Sequence, residues 1–247
     1  MTLAIDVQRL TRRFGAFVAV DAISVQVKTG EVFGFLGANG AGKTTAIKML
    51  IGLLEPTEGS AQVAGYDVRT QSEEVRRRIG YMSQRFSLYD DLTVRENIQL
   101  YGGIYGLTDD EISTRGAELV GGLHLDGAHD ALVGTLPLGW KQKLAFSVAL
   151  LHRPLVVFLD EPTGGVDPVT RRQFWEMIYA AAARGTTVFV TTHYMDEAEY
   201  CDRLSIMVDG RIAAMGTPAE LKAEFGAPTI DEVFVRLARP AAVAGGV

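Results

Sequence analysis

An apolar run over residues 31–36 stops at Gly37-Ala38-Asn39-Gly40-Ala41-Gly42-Lys43-Thr44, with Thr45 next, and a helical pattern begins directly behind it. No other stretch of the chain constrains its fold as tightly. The spacing is G-x-x-x-x-G-K-[ST]. Glycines allow the backbone to curl so that successive N–H groups converge on one concave point. The pattern over 42–53, with Ile47, Leu50, Ile51 and Leu54 at helical spacing, predicts an amphipathic helix. Its positive N-terminal end faces the same point. Lys43 adds a full charge for β- and γ-phosphates, and the Thr44 hydroxyl is suited to Mg²⁺. Buried strand, glycine turn and helix together predict an α/β fold with a nucleotide-phosphate site.

A second apolar strand, residues 155–159, ends in Asp160 and Glu161. Phosphoryl transfer needs one acid to hold Mg²⁺ and one group to orient or deprotonate the attacking water. Strand alternation predicts that the two point to opposite sides, Asp160 toward metal and Glu161 toward water. Taken alone, the pair could equally be a polar strand cap. His193 follows the next strand, at a position where α/β folds place ligands, and is expected to contact the γ-phosphate. A lone histidine can also be structural. Gln84 follows a short strand near 79–83 and reads either as a ligand to water near Mg²⁺ or as a turn residue.

Strand patterns occupy 3–7, 23–27, 31–36, 60–64, 79–83, 155–159 and 186–191, and a hairpin over 204–208 and 211–215 turns at Asp209-Gly210. Helical patterns cover 71–78, 167–183, a short 195–201, 218–225 and 230–237. Between them, residues 93–105, 109–121 and 138–151 are helical with little strand signal. We therefore expect one domain over 1–239, with a helical subdomain at about 86–150 inserted in the α/β core and a disordered tail at 240–247.

The chain's 247 residues carry a net charge of −6, and its basic cluster Arg76-Arg77-Arg78 reads as a solvated helix face, so no nucleic-acid partner is expected. No apolar stretch approaches the roughly 20 residues of a membrane helix, and the N-terminus lacks a signal-peptide pattern. Cys201 is the one cysteine, which rules out an intrachain disulfide; it reads as a packing residue.

Order and spacing of these motifs, over residues 3 to about 237, resemble the ATPase subunits of ABC transporters. The resemblance implies a P-loop NTPase of ABC ATPase type with an N-terminal antiparallel β subdomain. It implies ATP and Mg²⁺ as ligands, and hydrolysis that drives transport. Phe14 occupies the place of an aromatic that stacks on adenine, although it could be a core phenylalanine. Gln84 matches a glutamine linking the metal site to the helical subdomain, and His193 matches the family's switch histidine. Gly164-Gly165-Val166-Asp167 matches the loop that communicates between paired subunits, with Asp167 as its acid. Residues 85–123, with Phe86, Leu88, Tyr89, Leu92, Tyr101 and Tyr105, match the region that docks an integral membrane permease.

The resemblance further implies a second ATPase subunit, as homodimer or heterodimer, and a peripheral place on the cytoplasmic face of the cell membrane. Residues 228–234 look like the ending of the bacterial drug and antibiotic exporter branch. One departure stands out. The family signature, L-S-G-G-Q or similar, here reads Leu136-Pro137-Leu138-Gly139-Trp140. Pro137 removes a hydroxyl and an N–H donor, and Leu138 adds bulk. Gly139 and the helix behind it keep backbone N–H groups for phosphate. Two other readings remain: a soluble ABC ATPase outside transport, or a nucleotide-binding regulatory subunit with weak catalysis.

Overall fold

The structure, a computed structural model, describes residues 2–84, 88–123 and 129–238. Two long strands open the chain, β1 (Leu3–Phe14) and β2 (Phe17–Lys28), joined at Gly15-Ala16. Both run well past the sequence expectation, and the reason is local. Arg9 and Ala22 each take φ near 49° and interrupt the pairing register. Such bulges break the two-residue alternation by which strands are recognised. After β3 (Val32–Gly37) and α1 (Lys43–Leu50) come β4 (Glu58–Val63) and β5 (Tyr66–Asp67). They complete a four-stranded sheet in the order β2-β1-β4-β5. A Cβ on Gly59 would stand 2.2 Å from the Arg9 carbonyl oxygen, so the bulge requires glycine opposite it.

Next come α2 (Ser72–Arg78) and β6 (Ile79–Met82). Then follow α3 (Val94–Ile104), α4 (Asp109–Gly122), a 3-10 turn (Val133–Thr135) and α5 (Leu138–Ala149). Thr93 with Glu96, and Thr108 with Glu111, form reciprocal caps that fix where α3 and α4 begin. The chain returns through β7 (Val156–Asp160), which pairs parallel with β6. The helical segment is thus the crossover connection of one parallel strand pair.

The chain continues with α6 (Pro168–Ala183), β8 (Thr187–Thr192), a 3-10 segment (Met195–Tyr200), β9 (Arg203–Val208) and β10 (Arg211–Gly216), and closes with α7 (Pro218–Glu224) and α8 (Ile230–Ala238). The second sheet runs β10-β9-β3-β8-β7-β6. Asp209 and Gly210, at φ 47° and 79°, make the tight β9–β10 turn that their sequence predicts. Strands β3, β7 and β8 are buried along their whole length, as parallel strands covered on both faces must be. Phe189 sits at the centre of that sheet, with ring centroids 5.7 Å from Phe33, 5.3 Å from Phe35 and 5.3 Å from Phe158. Cys201 is buried, and burial pushes its thiol up, in keeping with a packing role. The expected tail at 240–247 lies outside the described residues.

Removing the Phe189 ring should expose the energetic centre of the sheet. Phe189→Ala is expected to lower the unfolding free energy by about 3–5 kcal/mol in a denaturant melt. Phe17→Ala, at a ring 65% exposed, should move it by no more than about 0.5 kcal/mol.

Candidate functional site

The glycine turn is shaped by what presses on it from behind. A Cβ on Gly42, where φ is 106°, would stand 2.4 Å from the Ala19 carbonyl oxygen of β2. One on Gly37 would stand 2.6 Å from the Met207 carbonyl oxygen of β9. Gly210, in the β9–β10 turn, donates its N–H to the Ala41 carbonyl at 3.1 Å. Both sheets therefore hold the loop in place, leaving Asn39 and Gly40 exposed at its mouth and Thr45 half-buried. Lys43 is 5% exposed, and its Nζ donates to the carbonyls of Gly37 at 2.8 Å and Ala38 at 3.2 Å.

Beneath the loop, Asp160 is 1% exposed and accepts hydrogen bonds on both oxygens. Thr44 Oγ1 donates to its Oδ2 at 3.0 Å and Thr191 Oγ1 to its Oδ1 at 2.7 Å. The neighbouring Tyr81 phenol is pushed up to about 12, first by burial and then by the Asp160 charge. It stays neutral at physiological pH.

Glu161 departs from the alternation expected of it. Strand β7 ends at Asp160, and Glu161 takes φ 52°, the left-handed region that non-glycine residues avoid. Its N–H donates to both the carbonyl and the hydroxyl of Thr191, each at 3.1 Å. The left-handed turn, not strand alternation, sets its direction. Asp160 and Glu161 both converge on the Lys43–Thr44 corner instead of facing opposite ways. Glu161 Oε1 lies 3.4 Å from Lys43 Nζ. Its Oε2 accepts from Gln84 Nε2 at 2.9 Å and lies 3.0 Å from His193 Nδ1. Gln84 therefore reaches the glutamate, and no hydrogen bond among the described residues takes its amide to the Thr44–Asp160 pair.

Phe14, Gly139 and Asp167 stand apart from this cluster. Phe14 ends β1 with its ring 47% exposed and the Arg12 guanidinium 4.6 Å from the ring centroid. Gly139, in the first turn of α5, lies so close to α6 that a Cβ would stand 2.5 Å from Thr170 Cγ2. Asp167 caps α6, accepting from the N–H groups of Val169 and Thr170, each at 3.0 Å. The Thr170 hydroxyl at 2.5 Å, with that backbone bond, holds the Asp167 carboxyl below its usual range. Pro137 precedes α5 with no side-chain cap, as its lost hydroxyl implies. Leu138 is 47% exposed at the mouth of a cleft shared with Gly165 and Asp167.

Two side chains at the site escaped the sequence reading. Thr191 reads as an ordinary β-branched strand residue; its one signal is a polar Thr191-Thr192 pair ending an apolar strand. Gln142 carries no signal, yet its Nε2 donates to the Gly164 carbonyl at 2.9 Å and ties α5 to the loop after Glu161.

The apolar residues expected at the permease-docking region divide into a core subset and an exposed one. Leu88 is buried, Tyr101 packs on the core, and Tyr105 stacks on His152 with centroids 3.8 Å apart. Leu92 is half-buried, Tyr89 is exposed, and Phe86 lies outside the described residues. Tyr105 also lines a groove between α1, α2 and the end of α3 that presents Leu53 and Ile104, 60% and 65% exposed, beside Arg76 and Arg77.

The family model for ABC transporters matches residues 20–164. The chain is 46% identical over 241 residues to the probable multidrug ABC transporter ATP-binding protein YbhF of Escherichia coli (strain K12), covering 94% of this chain. It spans only 41% of that relative's length. It is 40% identical over 226 residues to the daunorubicin/doxorubicin resistance ATP-binding protein DrrA of Streptomyces peucetius, covering 91% of this chain and 68% of that one. A solved structure of the ATP binding subunit of an ABC transporter superposes with a TM-score of 0.87 at 32% identity, covering 96% of this chain and 100% of the other. With its glycine loop, strand-end acids and helical crossover in the places that this likeness requires, the chain belongs to the ABC transporter family of ATP-binding proteins.

Proposed function

We propose that this chain is the ATP-binding and ATP-hydrolysing subunit of an ABC exporter, powering a separate permease from the cytoplasmic face of the membrane. Residues 1–239 form its single cassette, with the helical subdomain at about 86–150. The observation that carries the reading is the convergence of Gln84, Lys43 and His193 on one carboxylate, Glu161, beside the Thr44–Asp160 pair.

In this mechanism the amides of residues 39–45 receive the β- and γ-phosphates, and Lys43 exchanges its carbonyl partners for phosphate oxygens. Phe14 supplies a flat apolar face for adenine. Glu161 orients the attacking water and takes its proton as the new P–O bond forms and the bond to the ADP oxygen breaks. His193 and Gln84 hold that carboxylate and reach toward the γ-phosphate. The donor set fits magnesium: Thr44 and Asp160 offer hard oxygen ligands 3.0 Å apart, while Gln84 bonds the neighbouring Glu161. Bound there, magnesium would neutralise charge on the phosphates.

Two such chains, or this chain and a second cassette, sandwich the nucleotides, Gly139 and the α5 N-terminus of one facing the phosphate held by the other. Asp167 shapes the adjoining loop by capping α6. Pro137 deprives that face of a hydroxyl and an N–H, which favours a second reading as a regulatory cassette with weak catalysis. Loss of one such donor can cost roughly 10²–10³ in rate. Single-turnover hydrolysis with and without a partner cassette separates the two readings.

Among the described residues no helix is long and apolar enough to cross a membrane. We put the permease contact in the Leu53–Ile104 groove, whose exposed apolar pair and flanking Arg76 and Arg77 suit an amphipathic helix with an acidic flank. The net charge of −6 speaks against a nucleic-acid partner.

Glu161→Gln should retain ATP binding by calorimetry, lower steady-state hydrolysis by about 10²–10⁴ and accumulate an ATP-bound dimer by size-exclusion chromatography. Unchanged turnover would remove Glu161 from its role. Lys43→Ala should instead weaken ATP binding itself. Leu53→Asp combined with Ile104→Asp should abolish co-sedimentation with membranes while ATP affinity stays at the wild-type value; retained sedimentation would place the docking surface elsewhere.

A further inference from the structure

One carboxylate outside the cluster is sealed from solvent and unused by the mechanism above. Glu197, in the 3-10 segment that follows His193, is 0% exposed. Its Oε1 accepts from Thr163 Oγ1 at 2.5 Å and lies 3.6 Å from Arg171 Nε. Its Oε2 is buried with no hydrogen-bond partner among the described residues. A carboxylate is taken out of water at a heavy cost, so one kept there beside a single cation and a single hydroxyl points to a constraint beyond packing.

The partners of Glu197 lead to both halves of the hydrolytic pair. Thr163 lies two residues past Glu161, in a loop whose Gly164 N–H donates back to the Glu161 carbonyl at 3.3 Å. On the other side, the Arg171 guanidinium lies 4.5 Å from the centre of the Tyr194 ring, and that ring is 4.2 Å from the His193 ring. Arg171 Nη1 also donates to Asp196 Oδ2 at 3.3 Å, but that carboxylate is 69% exposed and its pull is screened by solvent, whereas Glu197 is sealed. Glu197 is thus tied at once to the loop carrying Glu161 and, through two stacked side chains, to His193. Glu161 Oε2 and His193 Nδ1 are themselves 3.0 Å apart.

We propose that Glu197 is a positioning residue for hydrolysis: its buried charge holds Arg171 against Tyr194 and the Thr163 loop in place, and so keeps His193 against Glu161. This rests on the reading of Glu161 and His193 as the hydrolytic pair. Glu197 is sealed from solvent and faces Thr163 and Arg171, away from the glycine loop's open mouth, so its effect is on turnover and not on nucleotide affinity.

Steady-state ATP hydrolysis by the full chain tests this with Glu197→Gln, His193→Ala and the double variant. Glu197→Gln keeps an acceptor for Thr163 but cannot hold the arginine by charge. It should lower kcat by about 10- to 100-fold and leave the KM for ATP within about twofold. The double variant should turn over no more slowly than His193→Ala alone, because both changes remove the same contact. Arg171→Lys keeps a cation for Glu197 but loses the flat stack on Tyr194; it should reproduce the kcat loss at unchanged KM, even if Glu197→Gln proves unstable. Wild-type kcat in Glu197→Gln or Arg171→Lys, or losses that multiply in the double variant, overturns the proposal while an impaired His193→Ala leaves the hydrolytic pair standing. Full activity in His193→Ala instead overturns the pair, and this proposal with it.

Discussion

Asp160 is the point on which this molecule is pinned. Its carboxylate is almost completely withdrawn from water, and two hydroxyls satisfy it, Thr44 from α1 and Thr191 from β8. A buried charge tolerates little displacement of its donors, because a lost hydrogen bond there leaves the full desolvation penalty behind. Three elements that meet nowhere else in sequence are thereby fixed in register: the helix after the glycine loop, the strand that bears the acid and the next strand of the sheet. Everything at the site is measured from that junction. Lys43 is the residue before Thr44, Glu161 the residue after Asp160, and His193 lies two beyond Thr191.

The glycine loop adds a second constraint from outside the sheet. It is pressed by Ala19 on one side and Met207 on the other, so the antiparallel sheet and the β9–β10 hairpin act as a mould for the phosphate cradle. The inserted helices are held differently. They leave the sheet after β6 and rejoin it at β7, and their near end is fastened by the Tyr105–His152 stack and by His152 Nε2, 3.0 Å from the Ile79 carbonyl oxygen. Burial pushes that imidazole down to about 4, so the fastening does not titrate near neutral pH. Strand β6, which begins at Ile79, leads within a few residues to Gln84 and so to Glu161. The fastening of the helical segment at Ile79 thus lies five residues along the chain from the side chain that bonds Glu161.

Features written in consecutive residues were legible before the fold was seen. The glycine turn with Lys43 and Thr44, the acids after an apolar strand, and the Asp209-Gly210 hairpin each declare themselves within ten residues. What escaped was long-range. Thr191 matters because it lies 31 residues from Asp160 and beside it in space. Gln142 and Glu197 are likewise defined by partners on other elements. The strands β1 and β2 were cut short because Arg9 and Ala22 break the alternation that reveals a strand. The groove at Leu53 and Ile104 is assembled from the ends of two separate helices, and no single stretch of sequence announces it. The neighbours of Glu161 mark it in the sequence, but its direction does not follow from them, since a single left-handed residue overrides the strand rule.

That left-handed residue also bears on how the site can decay. At φ 52° the backbone is most at ease with glycine, asparagine or aspartate, and a long acidic side chain sits there against local preference. The side chain's three partners, Lys43, Gln84 and His193, and not the main chain, account for a glutamate there. Genetic drift at position 161 thus runs downhill toward shorter side chains that relax the turn and leave the sheet intact. On the proposed reading, a descendant of this protein can lose the Glu161 carboxylate while its β7 turn relaxes, and a folded but idle cassette is the form such a loss would take.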